Sequence, residues 1–477
     1  MGANKIQARP PRRPTMSQAT PTTLAAKVES LGEADLLPFH ELLDAAMVDE
    51  ALKAEKVRFN DCIYAPIVTL CLFLSQVIDP DHSCRASVAR LIAWRVFRGL
   101  PPCGEETGTY CDARKRLPTA VVRRLVHETA RRGEVEAAES WLWNGRRVYL
   151  VDGTTVSMPD TPENQAAFPQ PRAQERGLGF PIARLAVLIS LWTGLARDLA
   201  MGPYKGKETG ETALFRKMLD ALQAGDVVVG DRCFGSYFML AELSRRGVDG
   251  AFRMHQKRKC DFRRGRILGR GDHVVEWTKP ARPDWMSEAE YAIYPDVMKI
   301  RELRYKISVP GYRASDLTVT TTLLDAEAYP AAELATLYGG RWHIETDLRS
   351  IKCDMKMDVL RCKTPEMVEK EVWVHLLGYN LIRRTMVRAA AEAGLAPREV
   401  SFKGALQTMT AFQDALRWTE KEERRRLWEA LLAAIGGHRV GNRPGRVEPR
   451  AIKRRPKPHK ILTVPRREAR KQLLEAA

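Results

Sequence analysis

The chain has 477 residues, too many for a single ordinary domain, and 44% of them are hydrophobic, enough to bury large cores. Its 77 Lys and Arg outnumber 59 Asp and Glu by 18, an excess that favours a polyanionic partner such as nucleic acid. The longest largely apolar run, Cys62 to Leu74, is 13 residues and contains Pro66, too short to span a bilayer, and no membrane partner is expected. The N-terminus is basic and Pro-rich without an apolar h-region, so secretion is disfavoured. Nine scattered Cys, none in a CxxC pair, read as reduced thiols, supporting neither a disulfide frame nor a zinc site.

Residues 1–25 read as a disordered basic tail. Residues 26–140 are patterned as helices, and Thr119 to Glu139 carries a basic face from Arg123, Arg124, Arg131 and Arg132. That face has two readings, solvation or contact with DNA phosphates. At about residue 147 the texture changes. Val148 to Val151 forms a strand-like run into Asp152-Gly153-Thr154-Thr155. Ile182 to Trp192 and Ala196 to Met201 read as two further strands of an antiparallel meander. Thr212 to Leu222 reads as a helix, Asp226 to Gly230 as a short apolar strand ending at Asp231, Ser236 to Arg246 as a helix, and Gly250 to Met254 as a strand. This order implies an α/β fold with a mixed sheet covered on its faces. Residues 256–325 form a β-rich insertion. A long helix is expected from Pro330 to about 356, then helices over 365–393 and 401–435. From His438 to Lys471 there are thirteen Lys or Arg, two Glu and five Pro, a tail expected to stay extended unless bound to something acidic.

Three acids stand out by position: Asp152 and Asp231 at the ends of apolar strands, and Glu345 inside the expected long helix. A carboxylate beside an apolar strand is costly unless neutralised. Two Mg²⁺ ions would neutralise three such acids, and that arrangement suits in-line attack on a phosphodiester. Taken singly, each acid could equally be a cap or a surface charge. Tyr338, Arg341, Glu345 and Lys352 are offset by three, four and seven residues. At about 100° per residue they fall within an arc of roughly 60°, whereas His343 points away from Glu345. A salt-bridged surface helix is the alternative. Arg253, Lys257, Arg258, Lys259, Arg263, Arg264, Arg266 and Arg270 crowd into 18 residues with one acid, either a DNA-phosphate surface or a solvated hairpin. His255, His343 and Cys233 are taken as structural.

Tyr338-x2-Arg341-x3-Glu345-x6-Lys352 resembles the Tyr-Arg-Glu-Lys signature of the DDE transposases of bacterial cut-and-paste insertion sequences. The segments around Asp152 and Asp231 resemble those around that family's two catalytic Asp residues. The resemblance implies a ribonuclease-H-like catalytic core over 141–255 and 326–390, interrupted by the β-rich insertion at 256–325. It also implies an N-terminal end-binding helical domain over 26–140, a helical region over 391–437 with a possible dimerisation role, and a basic DNA-binding tail over 438–477. Catalysis would rest on Asp152, Asp231 and Glu345 holding two Mg²⁺ ions, with Mn²⁺ as a substitute. Tyr338, Arg341, Lys352, Arg253, Lys257, Arg258 and Lys259 would bind DNA. The partners implied are double-stranded transposon ends and target DNA, engaged by a homodimer in a synaptic complex, in the bacterial cytoplasm at the nucleoid. A hairpin intermediate, with Trp277 or Trp285 holding a flipped base, is a further possibility of such families. A ribonuclease-H-like nuclease without strand transfer and a catalytically silent DNA-binding remnant remain the alternatives.

Overall fold

The computed structural model describes residues 41–59, 62–171, 175, 177–306, 316–419, 421–441 and 463–475. The N-terminal tail expected over 1–25 and most of the basic tail lie outside them. The chain folds as a mixed α/β structure around one nine-stranded sheet. Its strands are β1 (Val148–Ser157), β2 (Ile182–Ser190), β3 (Ala196–Pro203), β4 (Val227–Gly230), β5 (Asp249–Arg253), β6 (Arg266–Gly269), β7 (Asp272–Thr278), β8 (Val297–Lys306) and β9 (Asp316–Thr321). Their order across the sheet is β3-β2-β1-β4-β5-β9-β8-β7-β6. The meander expected from the sequence is present: β1, β2 and β3 pair antiparallel. β4 then runs parallel to β1, and β5 parallel to β4.

The strands of the expected insertion extend this same sheet. β9 pairs antiparallel with β5, and β8, β7 and β6 follow from it. Nothing in the period-2 pattern of Leu317 to Leu324 could reveal that neighbour, because strand partners are set by non-local packing.

Alternate residues of β1 serve two cores. Val148 and Leu150 face one apolar cluster, and Tyr149 and Val151 face another, as the alternation of a strand covered on both faces requires. The first cluster is the larger. It contains the helix Pro365–Glu392, buried along nearly its whole length, and the N-terminal helices Ala45–Ala54, Pro66–Ile78 and Thr119–Val135. The N-terminal helices therefore share a core with the sheet. On Thr119–Val135, Arg124 pairs with Glu55 at 2.9 Å, and Arg131 and Arg132 with Glu128 at 2.8 and 2.7 Å. Much of the basic face is thus answered from within the protein.

Two helical expectations need correction. The long helix after Pro330 is broken: Ala331–Gly339 ends at the Gly339-Gly340 pair, Trp342–Arg349 follows, and residues Ser350–Asp354 widen into a π-turn. Gly340 lies so close to Leu191 that a Cβ there would sit 2.9 Å from its Cδ1; the break lets the chain lie down on the sheet. The tail is not extended throughout. Arg466–Glu475 is a helix, and Arg466 lies over the Phe180 ring at 4.3 Å and reaches Asp160 at 3.3 Å. No helix among the described residues is long and apolar enough to cross a membrane.

Candidate active site

The parallel pairing of β1 with β4 sets Val151 opposite Gly230. The next residue on each strand is an acid, so Asp152 and Asp231 leave neighbouring strands at the same level, where adjacent strands run about 4.8 Å apart. Gly230 fits this position because a Cβ would sit 2.8 Å from Val151 and 3.0 Å from Phe234. The broken helix packs its second segment, Trp342–Arg349, against β1 and brings the third acid. Arg341 donates to Glu345 at 3.0 Å, and the electrostatic fields of Glu345 and Arg341 both reach Asp152. Asp231 in turn acts on Tyr338 and Arg341. The structure thus gathers Asp152, Asp231, Glu345, Tyr338 and Arg341 in one site.

Lys352 joins them by a route that a regular helix does not provide. It sits in the π-turn, and its Nζ donates to Thr154 Oγ1 at 3.1 Å, two residues beyond Asp152. π-Turns are frequent at functional sites because they re-aim a side chain without ending the helix. Tyr338 is buried at 4% exposure, so it serves the site as an internal hydroxyl rather than a surface contact. Burial pushes that hydroxyl up to about 12, with Asp231 adding to the effect and Arg341 opposing it.

The electrostatics are those of an excess of negative charge. Burial chiefly, with the charges of Glu211 and Glu345, raises the Asp152 carboxyl to about 6, although the Gly153 N–H and Arg341 favour its ionised form. Glu211 is the residue that the sequence reading missed. It opens the short helix Glu211–Arg216, and its carboxylate occupies the space beside Gly153, where a Cβ would lie 2.2 Å from its Cδ. Cys233 lies within 3.8 Å of the Glu211 carboxylate. Burial and the charges of Glu211, Asp231 and Asp152 hold its thiol far above the ordinary range, which fits its expected structural role. The signal in the sequence was the Gly directly after Asp152, a strand glycine marking a close approach. Four carboxylates face two cations, Arg341 and Lys352, and this imbalance fits divalent cations on hard oxygen donors.

Asp347, two residues from Glu345, faces the other way. It is fully buried and held by Arg383 and by Arg398, the latter at 2.7 and 2.8 Å. His343 lies on the same side, its imidazole pushed down to about 4 by burial and by Arg398. Of the basic cluster, Lys257, Lys259, Arg263, Arg264, Arg266 and Arg270 are exposed. Arg253 lies near Tyr338 and Tyr305. Arg258 is half-buried, its guanidinium 3.5 Å from the centre of the Trp277 ring. Trp277 is itself 4% exposed and donates to Glu302 at 2.8 Å; it has no free face for a flipped base. Trp285 is 41% exposed, with Arg216 over its ring at 3.8 Å.

Comparison with known proteins gives three findings. The family model described as Transposase DDE domain matches residues 143–381. The transposase InsG for insertion sequence element IS4 of Escherichia coli (strain K12) is 28% identical over 350 residues, covering 72% of this chain and 76% of that one. Among solved structures, a cryo-EM structure of the piggyBac transposase synaptic complex with hairpin DNA aligns over 84% of this chain and 85% of that chain, with a TM-score of 0.39 and 11% identity.

Proposed function

Because this chain belongs to the transposase DDE domain family, we propose that it binds the ends of an insertion sequence, cleaves them by metal-dependent phosphodiester chemistry and joins them to target DNA. The observation that carries this reading is the β1/β4 register, which sets Asp152 beside Asp231 under the Arg341–Glu345 pair. We read β1 to β5 and the helices that cover them as a ribonuclease-H-like core, a reading supported by the antiparallel meander followed by two parallel strands.

In this mechanism Asp152, Asp231 and Glu345 would hold two Mg²⁺ ions, for which Mn²⁺ could substitute, and these would supply activation of the attacking hydroxyl and charge stabilisation for the leaving oxygen. Asp152 has to give up the proton that its setting favours below about pH 6. Arg341, paired with Glu345 and within the electrostatic reach of Asp152 and Asp231, would offset charge on the phosphoryl oxygens. Tyr338, buried beneath Arg341, fixes the orientation of the guanidinium. Lys352, anchored on Thr154, positions the DNA backbone along β1. The exposed bases of the 257–270 segment, with Arg253, supply sequence-independent phosphate contacts. Synapsis of two ends by a homodimer follows from the need to cut both ends of one element.

The test is single-turnover nicking of a labelled end, taken from the inverted repeats that flank the coding sequence, followed by a strand-transfer assay. Cleavage is expected with Mg²⁺ or Mn²⁺ and absent with Ca²⁺, while end binding persists. Robust cleavage in excess EDTA would overturn the two-ion reading. Nicking without joining would reduce the protein to a nuclease.

A further inference from the structure

Away from the carboxylates, the outer strands bring together Cys260, His273 and Glu302. Their ligand atoms all lie within 4.8 Å of one another. Cys260 stands in the loop between β5 and β6, His273 on β7 and Glu302 on β8. His273 and Glu302 are buried at 1% and 3% exposure. We propose that these three side chains form a Zn²⁺ site that clips the basic loop onto the sheet.

Three observations carry the proposal. The first is distance. With Zn–S about 2.3 Å and Zn–N and Zn–O about 2.0–2.1 Å, tetrahedral angles place sulfur and nitrogen about 3.6 Å apart, and nitrogen and oxygen about 3.3 Å apart. The structure has Cys260 Sγ 3.6 Å from His273 Nε2, and Nε2 3.1 Å from Glu302 Oε2. The second is the tautomer. His273 Nδ1 lies 2.7 Å from the carbonyl oxygen of Arg264. A carbonyl only accepts, so the ring proton sits on Nδ1. Nε2 then faces a carboxylate oxygen and a sulfur, so three atoms of metal-ligating kinds converge on one point. A cation resolves that convergence, and an Nδ1–H to a backbone carbonyl is how a metal-bound imidazole is ordinarily oriented. The third is the surroundings. Trp277 Nε1 donates to the other Glu302 oxygen at 2.8 Å, and the Phe262 ring lies 4.6 Å from that of His273. The carboxylate is therefore oriented, and one side of the site is closed to water. Thiolate and imidazole select zinc over Mg²⁺, which separates this site from the acids that face the DNA. Zinc here would fix Lys257, Lys259, Arg263 and Arg264 on a rigid loop.

The test uses the full chain, purified without a histidine tag or chelator, with bound metal measured by inductively coupled plasma mass spectrometry. About one zinc per chain is expected, retained in excess Mg²⁺. Cys260→Ser and His273→Gln should reduce it to near zero, while Cys233→Ser keeps it. Co²⁺ exchanged into the unmutated protein should give a thiolate-to-cobalt charge-transfer absorption, which decides the matter even if both variants misfold. A wild-type chain without that band, and with no more zinc than Cys260→Ser, would overturn the proposal and leave an imidazolium–carboxylate pair beside a bystander thiol. Glu345→Gln should lose nicking and keep its zinc, so this test and that of the DNA chemistry fail separately.

Discussion

Glu345 and Asp347 are both acidic, two residues apart on one helix, yet the structure gives them opposite tasks, and Gln and Asn substitutions should separate them. Asp347 is fully buried between Arg383 and Arg398. Asp347→Asn leaves two guanidinium groups in the core without their counter-charge. Arg383 keeps the Tyr379 hydroxyl, and Arg398 keeps the carbonyls of Ser190 and Leu191, but these neutral partners do not balance the charge. Removing one member of a buried pair costs about 3–5 kcal/mol. At about 2–4 °C per kcal/mol for a large domain, the Tm should fall by roughly 10 °C. Glu345 is 42% exposed in its side chain and pairs with Arg341. An exposed pair contributes about 0–1 kcal/mol, so Glu345→Gln should leave the Tm within about 2 °C. Its effect belongs to the chemistry: nicking should drop by several orders of magnitude while gel-shift binding stays near normal. Differential scanning fluorimetry and single-turnover nicking below the lower Tm read both quantities. If Asp347→Asn melts like wild type but is inactive, or Glu345→Gln nicks normally, the assignment of the two helix faces is wrong.

Two further outcomes follow from the same site. Because the Asp152 carboxyl is raised to about 6 in the folded chain, the folded state keeps a proton that the unfolded chain has lost. Metal-free stability should therefore fall between about pH 4 and 6 and remain reduced above, by up to about 3 kcal/mol; Asp152→Asn should melt higher than wild type in EDTA at pH 7.5 and equal it at pH 4, and equal gains at both pH values would refute the cause. Glu211→Gln removes a charge beside Asp152 without touching the three proposed ligands, so the Mg²⁺ midpoint for nicking should rise several-fold with near-normal cleavage at saturation, whereas loss of cleavage at saturating Mg²⁺ would make Glu211 a ligand itself.

What was legible in the sequence was local. Val148 to Val151 running into Asp152, and Val227 to Gly230 running into Asp231, are apolar strands ending in acids, and the structure places them as neighbours. The offsets of Tyr338, Arg341, Glu345 and Lys352 grouped side chains that the structure also draws to one place, though not by one regular helix. Gly339-Gly340 breaks the helix, and the π-turn at 350–354 restores the reach of Lys352 to Thr154; both departures come from packing against the sheet. Glu211 was not legible because nothing in its own neighbourhood marks it, and only Gly153, remote in sequence, makes room for it. Cys260, His273 and Glu302 span 43 positions with no finger-like spacing, and they meet only because β7 and β8 pair with His273 opposite Glu302.

The arrangement around Asp152 is one that folding alone would not favour. Four carboxylates gather near the level where the apolar runs of β1 and β4 end, with Arg341 and Lys352 beside them. The cores on the two faces of the sheet can bear a cost of a few kcal/mol, because Val148 and Leu150 on one side and Tyr149 and Val151 on the other are fully buried where β1 runs up to Asp152. Rigid strands then hold the acids at a fixed separation that they would otherwise relax by moving apart. A site destabilised when empty and relieved by divalent cations is preorganised for them, since the reorganisation is already complete before the ions and the phosphate arrive. Asp347, paired internally only two residues from Glu345, shows that this chain can neutralise a buried acid when the acid has no chemistry to perform.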